Sequence, residues 1–190
     1  MQKAEALSGG FAEAPVEGAR AFRAVMQALA RPGRIERLAG ARPPAPMSVA
    51  AGVVALTLCD PDTPVYLAGA LDCAALRDWL AFHTGAPVSG REAAVFAFGT
   101  WEALLPLEGY AVGTPDYPDR SATLVVETER LEAAGARLEG PGIAGTAALS
   151  LPEVAAFRAN AAHFPMGLDF LFCCGDRLAA LPRSTRVEAG

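Results

Sequence analysis

Lysine is nearly missing from this chain of 190 residues: Lys3 is the only one, and every other basic side chain is Arg. A Schiff base needs an amine that can lose its proton in a pocket, and a guanidinium does not do that. No G-x-x-x-x-G-K-[ST] run is present. A covalently held pyridoxal phosphate and a P-loop nucleotide site are therefore not expected. Histidine is almost as scarce. His83 and His163 have no second histidine or cysteine pair at metal-ligand spacing, so both read as helix-end residues, where a cation favours the dipole. The four cysteines, Cys59, Cys73, Cys173 and Cys174, include no C-x-x-C pair. Cys59 and Cys173 fall in apolar runs that read as buried strands, so free thiols in a reducing cytoplasm are expected. There is no apolar stretch near the roughly 18 residues of a membrane span, and the opening residues lack the apolar core of a signal peptide. No polybasic run breaks a net charge of −5, which argues against a nucleic-acid partner. No G-x-S-x-G elbow supports a hydrolase triad.

What the chain has is apolar surface to bury. Hydrophobic residues make up 52% and charged residues 19%, a balance that a disordered chain does not show. The length fits a single domain over residues 1–190, with 1–10 and 187–190 expected to be mobile. Helical spacing of Phe22, Val25, Met26 and Leu29 predicts a helix from Glu17 that stops at Arg31-Pro32-Gly33. Residues 47–57 read as a helix, or from Val53 as a strand, and periodicity does not separate the two. A helix is expected over 73–84 with Asp72 as its cap, and another over 151–164 capped by Ser150. Strands are expected at 65–67, 93–98, 123–126, 137–143, 145–149, 168–174 and finally 178–182. Helices interleaved with strands that are apolar on both faces predict an α/β layer fold, a mixed sheet covered by helices.

Few residues stand out chemically. Asp60 and Asp62 follow an apolar run in Asp60-Pro61-Asp62-Thr63-Pro64. If that run is a strand, they sit where α/β proteins place ligand groups; otherwise the segment is ordinary turn chemistry. Arg183 and Arg186 flank Ser184 and Thr185, a set suited to phosphate or phosphonate oxygens, to a partner's carboxylate, or to a solvated tail. Arg31 at a helix end is favoured by the dipole without any ligand. The Gly140-Pro141-Gly142 segment reads as a turn. The residues alone thus give an α/β domain with no catalytic constellation.

Six segments in order carry a resemblance. They are Phe22-Arg23-Ala24-Val25-Met26-Gln27-Ala28-Leu29-Ala30-Arg31-Pro32-Gly33, Thr57-Leu58-Cys59-Asp60-Pro61-Asp62-Thr63, Tyr117-Pro118-Asp119, Gly140-Pro141-Gly142-Ile143, Phe164-Pro165-Met166-Gly167-Leu168-Asp169 and Leu181-Pro182-Arg183-Ser184-Thr185-Arg186. Together they resemble the PhnH family of the carbon–phosphorus lyase pathway. Ser184 departs from the Thr often found there but keeps the hydroxyl. The resemblance implies a fold similar to pyridoxal-phosphate-dependent transferases without the cofactor, a homodimer when isolated, and other lyase subunits as partners. It implies an accessory role in joining a phosphonate to the ribose of ATP with release of adenine. Catalysis is left to those partners, and no cofactor or metal is expected. Arg31, Asp60, Asp62, Arg183, Ser184 and Arg186 are then ligand or interface candidates. The alternative is an independent enzyme or binding protein for a phosphorylated or phosphonate small molecule.

Overall fold

The computed structural model describes residues 7–190, and Lys3 lies outside them. In chain order the elements begin with α1 (Ala14–Ala30), β1 (Glu36–Arg37), α2 (Val49–Leu58), β2 (Val65–Leu67), α3 (Ala74–His83), β3 (Phe96–Thr100) and α4 (Trp101–Leu104). They continue with β4 (Thr123–Glu127), β5 (Ala136–Glu139), β6 (Ala147–Leu149), α5 (Val154–Ala161), β7 (Asp169–Cys174), β8 (Arg177–Leu181) and β9 (Arg186–Glu188).

α1 buries Ala21, Val25 and Ala28, a helical stripe of small and branched side chains. It stops at Arg31, whose N–H still reaches the Gln27 carbonyl, because Pro32 cannot continue the ladder. The ambiguous apolar run is the helix α2. Ser48 caps it by accepting a bond from the Ala51 N–H, and Ala50 to Ala55 are buried on every side. Gly52 lets the helix approach the Pro43 ring, which a Cβ would meet at 2.6 Å. Cys59 therefore ends a helix rather than lying in a strand, while Cys173 does lie in one, β7.

The main sheet has the order β1-β8-β7-β4-β3-β2. β2, β3, β4 and β7 are parallel, and β8 and β1 add on antiparallel, so the sheet is mixed as expected. Its two faces feed two cores. Val125, Leu171 and Cys173 point to the side covered by α1, α2 and α3. Leu124, Val126, Phe170 and Phe172 point to the other, under α4, α5 and the small sheet β6-β5-β9. This alternation across strands buried on both faces makes their sequence read as unbroken apolar runs. On the second face Phe157 of α5 packs edge-on to Phe170 at 4.9 Å and lies 4.8 Å from Trp101.

Several expected boundaries move. β3 starts at Phe96, after a single 3-10 turn over Arg91–Ala93. The strand expected over 137–143 ends at Glu139, and the next begins at Ala147. α5 starts at Val154, and Ser150 instead accepts a bond from the Glu132 N–H at 2.9 Å. Asp72 does not cap α3, which begins after Cys73; its carboxylate pairs with Arg77 at 2.5 Å, an exposed contact. β8 is not the last strand. β9 follows and pairs with β5, and Val187 in it is only 4% exposed. At the other end Gly9 accepts a bond from the Arg42 N–H and Ser8 one from Trp79 Nε1.

Candidate functional site

The amino ends of the parallel strands form one edge of the main sheet; Arg183 lies at it, Asp60 and Asp62 precede β2 at its far end, and Arg186 belongs to β9 of the small sheet. Arg183 follows β8 just where that strand runs beside the start of β7, since Leu181 pairs with Phe170. Its guanidinium is turned inward, with 13% of the side chain exposed. Nε donates to Asp169 Oδ1 at 3.2 Å and one terminal nitrogen donates to Asp169 Oδ2 at 2.5 Å, a bidentate fork. That same nitrogen reaches Ser121 Oγ, and the other terminal nitrogen reaches the Pro118 carbonyl. The Arg183 N–H also donates to Asp169 at 2.8 Å. Arg183 thus ties together the stretch before β4, the start of β7 and the end of β8. Its donors are committed within the chain, and an incoming oxyanion would have to displace a carboxylate.

Arg31, Ser184 and Arg186 come together differently, around the loop of residues 140–142. Gly142 adopts φ +80 and lies so close to the end of α1 that a Cβ would sit 1.9 Å from the Ala30 carbonyl oxygen. Gly140 adopts φ +142 and would place a Cβ 3.0 Å from the Ser184 carbonyl. Only glycine satisfies both the left-handed backbone and the close approach. The loop therefore seats the Arg31 segment and the 184–186 stretch against each other. Arg31 is exposed, and the Arg186 side chain is 75% exposed, 3.7 Å from Glu139. Thr185 between them is buried at 1%, its N–H donating to Pro182.

Asp60 and Asp62 are elsewhere. They follow a helix, not a strand, and precede β2 at the far end of the same edge. From β8 to β2 is four strand spacings, roughly 19 Å. The Asp60 carboxylate accepts from the Asp62 N–H at 2.9 Å, and the Asp60 N–H donates to Thr63 Oγ1 at 2.7 Å. This is a self-satisfied turn. The structure does not bring the aspartates to the arginines.

One ionisable group escaped the sequence reading. Glu127 ends β4 on the opposite edge, at the carboxyl ends of the parallel strands, partly buried among α2 and β7. Its Oε1 accepts from the Ser48 N–H at 2.7 Å, at the positive end of α2. Burial pushes its pKa above the usual glutamate range, and the backbone and side-chain bonds from Ser48 pull it partly back. Neighbouring Cys173 is pushed well up by burial and then by Glu127, and Cys59 up to about 12, chiefly by burial. The signal for Glu127 was an acid closing the apolar run Leu124-Val125-Val126. His83 lies 5.0 Å from the Trp79 ring and 3.1 Å from the Ser8 carbonyl, and the His163 N–H donates to Asn160. Among the described residues no three His, Cys, Asp or Glu side chains converge as ligands for a metal ion.

Comparison with known proteins gives the arrangement a context. The curated relatives include the alpha-D-ribose 1-methylphosphonate 5-triphosphate synthase subunit PhnH of Rhizobium meliloti (strain 1021), 44% identical over 95% of each chain. They also include the putative C-P lyase subunit protein HtxG of Stutzerimonas stutzeri, 31% identical over 94% of this chain and 95% of that one. The family model described as bacterial phosphonate metabolism protein (PhnH) matches residues 9–188, and the chain belongs to that family.

Proposed function

We propose that this chain is an accessory subunit of a carbon–phosphorus lyase core complex. In that complex it supports formation of a ribose 1-phosphonate 5-triphosphate from ATP and an alkylphosphonate. The phosphonate oxygen bonds to the ribose carbon that adenine leaves. The observation that carries this reading is the 44% identity, over nearly the full length of both chains, to the subunit from Rhizobium meliloti. The geometry adds support. Arg183, the best-placed oxyanion ligand in sequence, works as an internal strut. An independent enzyme acting through Arg183, Arg186 and Asp60 would need those groups around one substrate, and Asp60 sits about 19 Å away along the edge.

Several finer points belong to the same reading. The parallel strands flanked on both faces suit a likeness to pyridoxal-phosphate-dependent transferases without the cofactor. The isolated chain is expected to form a homodimer, to work in the cytoplasm and to bind neither nucleic acid nor membrane. No helix among the described residues is long and apolar enough to cross a membrane. Arg31, Ser184 and Arg186 are assigned to a ligand or partner surface, with Asp60 and Asp62 as a separate one.

The test is to purify the chain alone and with the other lyase subunits of its host, then compare the two by size exclusion with mass detection. Co-elution in a stable complex is the expected result. Persistent separation sinks the subunit reading. Turnover of ATP and methylphosphonate by the isolated chain would favour the independent enzyme instead.

A further inference from the structure

A groove of about 440 Å³ runs between α5 and the segment after α4, on the second face of the sheet. Leu105, Leu107, Val112, Ala156 and Leu168 contribute apolar wall, while Glu108, Glu153 and His163 supply its ionisable groups. Among the described residues no Arg or Lys lines it. Neither carboxylate has an ion-pair partner among the described residues, and Glu153 makes no capping bond to α5.

The other polar groups near the groove are already engaged. Asn160 donates to the Leu168 carbonyl at 2.9 Å and accepts from its N–H at 2.8 Å. The carbonyls of Leu105 and Pro106 take the two terminal nitrogens of Arg91, at 3.1 and 2.8 Å. The Leu104 carbonyl takes the Tyr110 hydroxyl at 3.1 Å. The groove therefore offers apolar surface and negative charge, and little else. A phosphonate or triphosphate would meet two carboxylates, and the nearby Arg91 guanidinium is already committed to the Leu105 and Pro106 carbonyls. What fits is an apolar side chain with a basic residue beside it. On the groove wall Leu105 is 36% exposed, and beside the groove Phe164, next to His163, is 61% exposed. Such apolar exposure around a groove marks a protein contact rather than a closed ligand pocket.

We propose that this groove docks a segment of a partner lyase subunit that inserts an apolar side chain flanked by Arg or Lys. The inference rests on the subunit reading above and goes further, in naming the surface and the chemistry of what covers it. α5 separates this surface from Arg186, which lines a different depression on the far side of the helix with Arg158 and Ala161.

The test uses the full chain and the co-expressed partner subunits. Ala159→Trp fills the groove from an exposed position on α5, and the pair Glu108→Arg with Glu153→Arg inverts its charge. Each is expected to weaken co-elution at least tenfold, with an unchanged thermal melt for the isolated chain. Arg186→Glu, as a reversal outside the groove, is expected to weaken it less. If the wild type assembles and both groove variants assemble equally well, the groove proposal falls while the subunit reading stands. If the wild type does not assemble, both fall. If the groove variants convert an isolated dimer into a monomer and leave assembly intact, a second copy fills the groove and the proposal is overturned.

Discussion

Two charged groups are drawn into the body of this protein at opposite edges of its sheet, and they are held by different means. At the amino edge, Arg183 meets a countercharge, Asp169, in a fork with further acceptors behind it. At the carboxyl edge, Glu127 has no ion-pair partner among the described residues and is bonded by the backbone and side chain of Ser48 at the start of α2. The first arrangement balances charge; the second relies on hydrogen bonds from Ser48 and the partial charge of a helix end. The comparison teaches that a carboxylate drawn inward without a countercharge is held at a raised pKa by its burial, so its protonation is tied to folding.

Breaking the pair should have the larger effect. Arg183→Met leaves Asp169 partly buried without its countercharge and removes the link between β7, β8 and the stretch before β4. A loss of about 3 kcal/mol is expected, the low end for breaking a buried pair, because Asp169 keeps 22% of its side chain exposed. For a chain of this size that lowers the melting temperature by roughly 6–12 °C. Adding Asp169→Asn should recover part of the loss, and a double-mutant cycle by urea denaturation measures how much. A purely additive cycle would mean that Arg183 acts by packing alone.

Glu127 gives a smaller, pH-dependent effect, with a definite sign. Its folded pKa lies above the ordinary value of 4.5. Between those two values the folded state holds a proton that the unfolded chain has released. Stability therefore falls as pH rises through that window, and is recovered on acidification. Glu127→Gln keeps an acceptor for the Ser48 N–H and removes the titration, so its stability should stay flat there while the wild type declines. Urea melts across the window test this, and parallel slopes for the two proteins would contradict it. Glu127→Ala leaves the Ser48 N–H without its acceptor and should cost about 1–2 kcal/mol at neutral pH.

The same contrast explains what could be read from the sequence. The alternation that fills two cores was visible as apolar runs, and the stop at Arg31-Pro32-Gly33 follows from local chemistry alone. The two-sided burial of Ala50 to Ala55 was not decidable, because a segment apolar all round has no period to show. β9 was missed because Arg186-Val187-Glu188 is too short and too polar to announce itself; it becomes a strand only because β5 is there to pair with it. Arg183 and Arg186 looked alike, three positions apart beside two hydroxyls. The partners that separate them, Asp169, Ser121 and Glu139, are set by tertiary register.

That separation yields the smallest expected effect. Arg186→Ala removes a guanidinium that is 75% exposed and 3.7 Å from Glu139, which also faces Arg137. An exposed pair of this kind contributes about 0–1 kcal/mol, and Glu139 keeps its other cation, so the change should stay within about 0.5 kcal/mol. The neighbouring Val187 stays buried and the β5–β9 ladder is made by backbone hydrogen bonds, so β9 should survive the loss of the cross-strand Arg186–Glu139 contact. A melt that matches the wild type, beside a large drop for Arg183→Met, would show that one of these arginines builds the edge and the other merely lies on it. A comparable drop for both would mean instead that Arg186 helps to hold β9 on the small sheet. In that case its exposed position would not make it free to serve a partner.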